Sequence, residues 1–116
     1  MRRLLLFLTA AALLGAPAAA EARTFYGTVG PGTTIALKRA DGTLVRRVPA
    51  GYHRFVIRDR SAQHNFHLRG GGVDRRTGVA FAGTRTWTGV RIRRGIVYTY
   101  YCEPHASTMR RTFSGV

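Results

Sequence analysis

Cysteine occurs once in the 116 residues, at Cys102, lysine once, at Lys38, and acidic residues only five times. One cysteine excludes a scaffold stapled by disulfides within the chain. The shortage of acids against 19 Lys and Arg leaves a formal net charge of +14. Such a charge first suggests a nucleic acid or another anionic surface as partner. After residue 20 no stretch keeps a 3.6-residue apolar period, which argues against amphipathic helices. The composition argues against disorder as well, because 45% of the residues are hydrophobic and the aromatics are spread along the chain. The length allows one domain.

The one long apolar run lies at the start. Met1-Arg2-Arg3 is a short positive stretch, Leu4 to Leu14 is almost unbroken in its hydrophobicity, and Pro17-Ala18-Ala19-Ala20 supplies small residues for cleavage. This pattern predicts a secretory signal peptide over residues 1–20, cut after Ala20 or, as second choice, after Ala22. The run is shorter than the ~20 residues a membrane span needs. The processed chain, residues 21–116, keeps all five acids and carries a net charge of +12. It is expected to be exported, to a periplasm or beyond the cell, with no integral membrane span after cleavage. Genomic DNA is then not its partner, and the charge must face something else.

Short β-branched and aromatic runs alternate with Gly, Asp and Pro punctuation, the pattern of an all-β chain. Strands are predicted near Thr24–Val29, Thr33–Lys38, Leu44–Val48, Tyr52–Asp59, His64–Arg69, Trp87–Ile92, Ile96–Cys102 and Arg111–Val116. Turns fall at Gly30-Pro31-Gly32, Asp41-Gly42, Pro49-Ala50-Gly51, Gly70-Gly71-Gly72 and Arg94-Gly95. Phe55 and Ile57 point one way while Arg54, Val56 and Arg58 point the other, and Val90 and Ile92 alternate with Arg91 and Arg93. Eight short strands at this spacing predict a small sandwich or barrel. Arginine at alternate strand positions reads as a solvated sheet face, which also discourages edge pairing.

The chemistry concentrates near the C-terminus. Cys102-Glu103-Pro104-His105-Ala106-Ser107-Thr108-Met109 has the pattern C-x2-H-x3-M, and Gln63-His64-Asn65-Phe66-His67-Leu68 lies upstream. One thiolate, two imidazoles and a thioether form the donor set of a blue-copper site. The thiolate is soft and strongly bonded, the imidazoles suit both copper oxidation states, and a long methionine bond tunes the potential. Copper ligands are therefore expected at His64, Cys102, His105 and Met109. Ile96, Tyr98 and Tyr100 share the face of Cys102 on a strand, and the turn at Glu103-Pro104 brings His105 back. His64 and His67 are three apart, so on a strand they face opposite ways. If Phe66 and Leu68 face the core, His64 faces in and His67 faces solvent. Asn65 is then placed to hydrogen-bond the loop bearing Cys102. His53 reads as a surface or internally satisfied histidine. An unpaired thiol in an oxidising compartment needs a reason, and copper ligation supplies one.

The segment Asp59–Leu68 resembles the first-ligand region of the cupredoxins. Gly83-Thr84-Arg85-Thr86-Trp87-Thr88 and Tyr98-Thr99-Tyr100-Tyr101-Cys102-Glu103-Pro104-His105 are similar to the later strands of the plastocyanin and azurin family. The resemblance covers roughly residues 52–116. It implies a Greek-key β-sandwich with one copper ion at one end, and one-electron transfer as the activity. It also implies an electron port at His105, with Pro104, Ala106 and the Gly70–Gly72 loop nearby, and a second exit at Tyr101. The strong positive charge departs from the acidic docking surface of many plastocyanins, and Arg110 and Arg111 follow Met109 directly. An acidic redox partner is therefore expected, for a protein that is itself a monomer and not an enzyme. Two other functions use the same residues differently: copper delivery, storage or tolerance, and a basic module that binds polyanions or anionic membranes.

Overall fold

Strand alternation decides which residues are covered. A computed structural model of the chain describes residues 21–116; the predicted signal peptide lies outside the described residues. Nine strands run β1 (Thr24–Val29), β2 (Ile35–Lys38), β3 (Arg47–Val48), β4 (Gly51–Asp59), β5 (His67–Gly70), β6 (Val73–Arg76), β7 (Gly83–Ile92), β8 (Val97–Tyr101) and β9 (Arg110–Gly115). They form two mixed sheets. Sheet I has the order β2-β1-β4-β7 and sheet II the order β3-β9-β8-β5-β6. The pairs β1/β4 and β3/β9 are parallel, and the other named strand pairs are antiparallel. The expected all-β sandwich forms, with one strand more than the eight read from the sequence.

The extra strand is β6, Val-Asp-Arg-Arg. Its three charged residues hide it from any apolar pattern, and it forms because β5 offers it a full register from His67↔Arg76 to Gly70↔Val73. The turn between them is Gly71-Gly72, at φ +52 and +85. Two consecutive positive-φ residues suit the tight hairpin turn that matches strand twist, and glycine adopts them without strain. Other strands differ in extent. β7 starts at Gly83 rather than Trp87, and β3 keeps only Arg47–Val48 of the predicted Leu44–Val48.

β4 shows the alternation most clearly: His53, Phe55, Ile57 and Asp59 are buried, while Tyr52, Arg54 and Arg58 are exposed. Its partner β7 carries a register shift opposite His53/Phe55. Thr88 and Gly89, the latter at φ +63, take up the extra length. Trp87 and Val90 are therefore both buried although they stand three apart.

The inner faces meet in one core built on Phe25, Leu37, Phe55, Ile57, Phe66, Leu68, Tyr98, Tyr100 and Phe113. Phe66 stacks on Tyr100 at 5.1 Å and 9°, and Tyr98 on Phe113 at 5.1 Å and 11°. Both buried tyrosines need a partner for the hydroxyl. Tyr100 Oη accepts the Leu37 N–H of sheet I at 3.1 Å, and Tyr98 Oη accepts the Arg93 N–H at 2.8 Å. Burial pushes the Tyr100 phenol above its ordinary value. His53 is satisfied within the fold: Nδ1 accepts the Arg23 N–H at 3.0 Å and Nε2 donates to the Pro49 carbonyl at 2.6 Å. At the edge of the sandwich Arg111 Nε donates to the Ile35 carbonyl at 3.0 Å, tying β9 to β2. Among the described residues no helix is long and apolar enough to cross a membrane.

Candidate metal centre

β5 and β8 are antiparallel neighbours whose last pair is His67↔Tyr101. The segment leading into β5 and the segment leaving β8 therefore emerge from the same end of sheet II. His64 belongs to the first segment and Cys102 to the second. His64 comes from a loop and not, as expected, from the strand, which begins only at His67. The connection from Cys102 to Met109 is closed by the β8/β9 pair Tyr101↔Arg110. Inside it, Cys102 N–H donates to the Met109 carbonyl at 3.0 Å, and His105 N–H to the Cys102 carbonyl at 3.1 Å. Met109 N–H donates to the His105 carbonyl at 2.8 Å. Glu103–His105 forms a single 3₁₀ turn with Pro104 in its first positions, where a missing N–H costs nothing.

This folding brings three donor atoms together. His64 Nδ1 and His105 Nδ1 are 3.1 Å apart, and Cys102 Sγ lies 3.6 Å from the first and 3.8 Å from the second. The point equidistant from all three is about 2.0 Å from each, a metal–imidazole bond length and slightly short of a metal–thiolate bond. Three donor atoms this close repel one another unless a cation or shared proton lies between them. Together they form a group able to hold a metal ion. His64 and Cys102 are buried and His105 is exposed. Met109 is buried in the same cluster as Cys102, and its backbone is bonded to both Cys102 and His105. Pro104 is exposed beside His105, and Tyr101 is half-buried.

Asn65 fastens the two loops. Its N–H points to Cys102 Sγ at 3.4 Å, its Oδ1 accepts the Glu103 N–H at 2.8 Å, and its Nδ2 donates to the Thr77 carbonyl at 3.1 Å. The expected bond to the cysteine loop is thus formed. Thr77 is a second anchor that the sequence reading missed. Its Oγ1 accepts the Phe66 N–H at 2.9 Å and donates to Asp59 Oδ2 at 3.4 Å, while its own N–H reaches the Phe66 carbonyl at 3.0 Å. Asp59 Oδ1 accepts the Ser61 N–H at 3.0 Å. Burial holds the Asp59 carboxyl above the ordinary carboxylate range, opposed by the Ser61 and Thr77 hydrogen bonds and by the nearby His64. The inward position of Asp59 in the β4 alternation was a signal for it. Arg75-Arg76-Thr77-Gly78 offers none for Thr77.

Two expectations need correction. His67 does lie on the face of sheet II away from Cys102, but it is covered, with 6% exposure. Its Nε2 is 2.5 Å from Asp74 Oδ1 on the unforeseen strand β6. Its Nδ1 is 3.0 Å from Glu103 Oε1, off the hydrogen-bond axis. The Tyr101 ring packs on it at 4.9 Å. The hydrogen bond from His67 holds the Asp74 carboxyl below the ordinary range. The second correction concerns the Gly70–Gly72 loop. It sits beside Ile96, Val97 and Tyr98, at the far end of β8 from Cys102, because β5 runs away from the site.

The fold and the cluster define a two-sheet β-sandwich with a His–Cys–His candidate metal centre at one end. The sequence matches no protein-family model and no curated protein, so the class rests on this geometry.

Proposed function

We propose that the protein binds one copper ion through His64, Cys102 and His105, with Met109 as a weak fourth ligand, and serves as an exported one-electron carrier of the cupredoxin class. The observation that carries this reading is the triangle of His64 Nδ1, Cys102 Sγ and His105 Nδ1. One thiolate and two imidazoles at this spacing suit a soft metal that changes charge by one, and copper supplies that change between its cuprous and cupric states. The chain's own residues do the rest. The closed loop Cys102–Met109 and the Asn65 and Thr77 anchors hold the donors in one arrangement, so little has to move when an electron arrives or leaves. The Asn65 N–H on Cys102 Sγ withdraws charge from the sulfur, which favours the reduced state.

His105 is the exposed member of the triad, which makes it the route by which an electron reaches the surface. Tyr101, on the outer face of sheet II, offers a second exit. Pro104 contributes apolar surface beside His105. Four protein donors leave no open position for a substrate, so the reading is of a carrier and not an enzyme. The positive field of the processed chain suits an acidic redox partner approaching this end, the chain itself acting as a monomer.

The test is Cu(II) addition followed by voltammetry. An intense thiolate-to-copper band at one equivalent and a fast, reversible wave are expected. The absence of that band contradicts the copper reading. A band accompanied by sluggish voltammetry and ready release of copper to an acceptor replaces the carrier by a delivery or storage protein.

A further inference from the structure

The charge of this chain is distributed unevenly, and the metal centre does not account for most of it. Among the described residues the ion pairs are His67–Asp74, His67–Glu103 and Arg76–Glu103, all on the outer side of sheet II or its end. Asp59 is buried and Asp41 bonds Thr43 in its own turn. Among the described residues no strand position on the outer face of sheet I carries a carboxylate, and Glu21 lies in the segment before β1. Strand alternation and register place Arg54 and Arg58 on β4, Arg91 on β7 opposite Tyr52, and Lys38 on β2 opposite Tyr26. These four cations are exposed, and none is ion-paired among the described residues. Tyr26 and Tyr52, at 39% and 58% exposure, stand among them, and the Arg91 guanidinium lies 5.9 Å from the Tyr52 ring centroid. Beside Tyr26 a hollow of about 300 Å³ is lined by Thr28, Lys38, Arg39, Ala40 and Gly42, again with no acid.

We propose that this face of sheet I docks the protein on an anionic phospholipid surface. Its cations are spread over three of the four strands, in two dimensions, as lipid phosphates are. A polymer would instead be followed by a groove or a single line of charges. Three of the four are arginine, whose planar fork pairs two phosphate oxygens at once. The two tyrosines suit the headgroup level, where a ring meets the acyl boundary and its hydroxyl stays in water. The site lies on a face of the sandwich, whereas the metal ligands lie at the end of sheet II. Docking therefore leaves His105 clear, and the inference stands independently of what the metal centre does.

The experiment uses the protein purified from the exported fraction and co-sedimentation with vesicles at low salt. Vesicles containing phosphatidylglycerol are expected to bind it and pure phosphatidylcholine vesicles are not. Each lost cation lowers the partition coefficient about five-fold, so Arg54→Glu/Arg58→Glu is expected to lower it by at least about 25-fold. Arg69→Glu/Arg75→Glu, an equal charge change on the sheet II side, is expected to lower it by less than half as many decades. Cys102→Ser is expected to bind vesicles as the parent does. Equal losses for the two double variants overturn the assignment to this face. Failure to bind the anionic vesicles overturns the membrane proposal, and binding of heparin or DNA through Arg54 and Arg58 without vesicle binding replaces it with a polyanion site. Near-ultraviolet circular dichroism of each variant establishes that the fold is intact before binding is compared.

Discussion

Sheet I and sheet II share one core, yet they differ at their ends and on their outer faces. Sheet II sends three segments to one end: the loop into β5, the loop out of β8 and the start of β9. These bring the donor atoms of His64, Cys102 and His105 together, with the Met109 backbone hydrogen-bonded to Cys102 and His105. Its outer face pairs part of its charge, with His67 between Asp74 and Glu103 and Arg76 on Glu103, beside the exposed Arg69 and Arg110. Sheet I contributes no donor to the triad, and its outer face leaves four cations unbalanced. The lesson is a division of labour. Antiparallel neighbours place loops from distant parts of the chain at one end, where donors can converge. A flat face with alternate residues outward is free to carry a uniform charge.

Mutations can break this division. Cys102→Ser should have the largest effect at the site: it should abolish the thiolate-to-copper band while leaving the apo fold within about 2 kcal/mol of the parent, as checked by urea unfolding. Phe55→Ala in β4 should do the reverse. It should cost about 3–5 kcal/mol of stability and leave the position of the copper band in the folded population unchanged. A shifted band would show that sheet I shapes the site after all.

Asn65→Ala removes the ties between the two ligand loops. Copper affinity should fall about 10- to 100-fold, measured by competition with a chelator, while Asn65→Asp, which keeps the Oδ1 acceptor for Glu103 N–H, should recover part of it. The smallest effect concerns Asp59, which ends β4 in sheet I but bonds Thr77 beneath the His64 loop. Burial raises its carboxyl, so the folded apo protein holds this proton to higher pH than the unfolded chain does. Stability should therefore fall as pH rises from the ordinary carboxylate range through the raised value, and the loss should be complete above it. Asp59→Asn should remove that slope, visible in unfolding midpoints measured across acid pH.

The sequence revealed the donors better than their supports. Cys102, His105 and Met109 sit on one short loop, so their spacing was legible in the chain. His64 was separable from His67 by two-fold alternation, although His64 proved to lie just before the strand. The environment of His67 was not legible, because the strand that covers it, Val73–Arg76, has no apolar pattern and forms only against β5. Thr77 and Asp59 were missed as anchors because they meet Phe66 and each other through contacts spanning 11 and 18 residues. The Gly70–Gly72 turn was legible as a turn, but strand direction, which sequence pattern does not carry, sends it to the opposite end. The bulge at Thr88–Gly89 fits β7 to β4, and Gly89, a glycine inside a strand pattern at φ +63, was the unread signal for it.

X-ray absorption at the copper edge of the copper-loaded protein tests the central claim most directly. The account predicts one short copper–sulfur distance and two imidazole nitrogens at about 2.0 Å, with the sulfur contribution lost in Cys102→Ser. A first shell of nitrogen and oxygen alone, unchanged by that substitution, would contradict it.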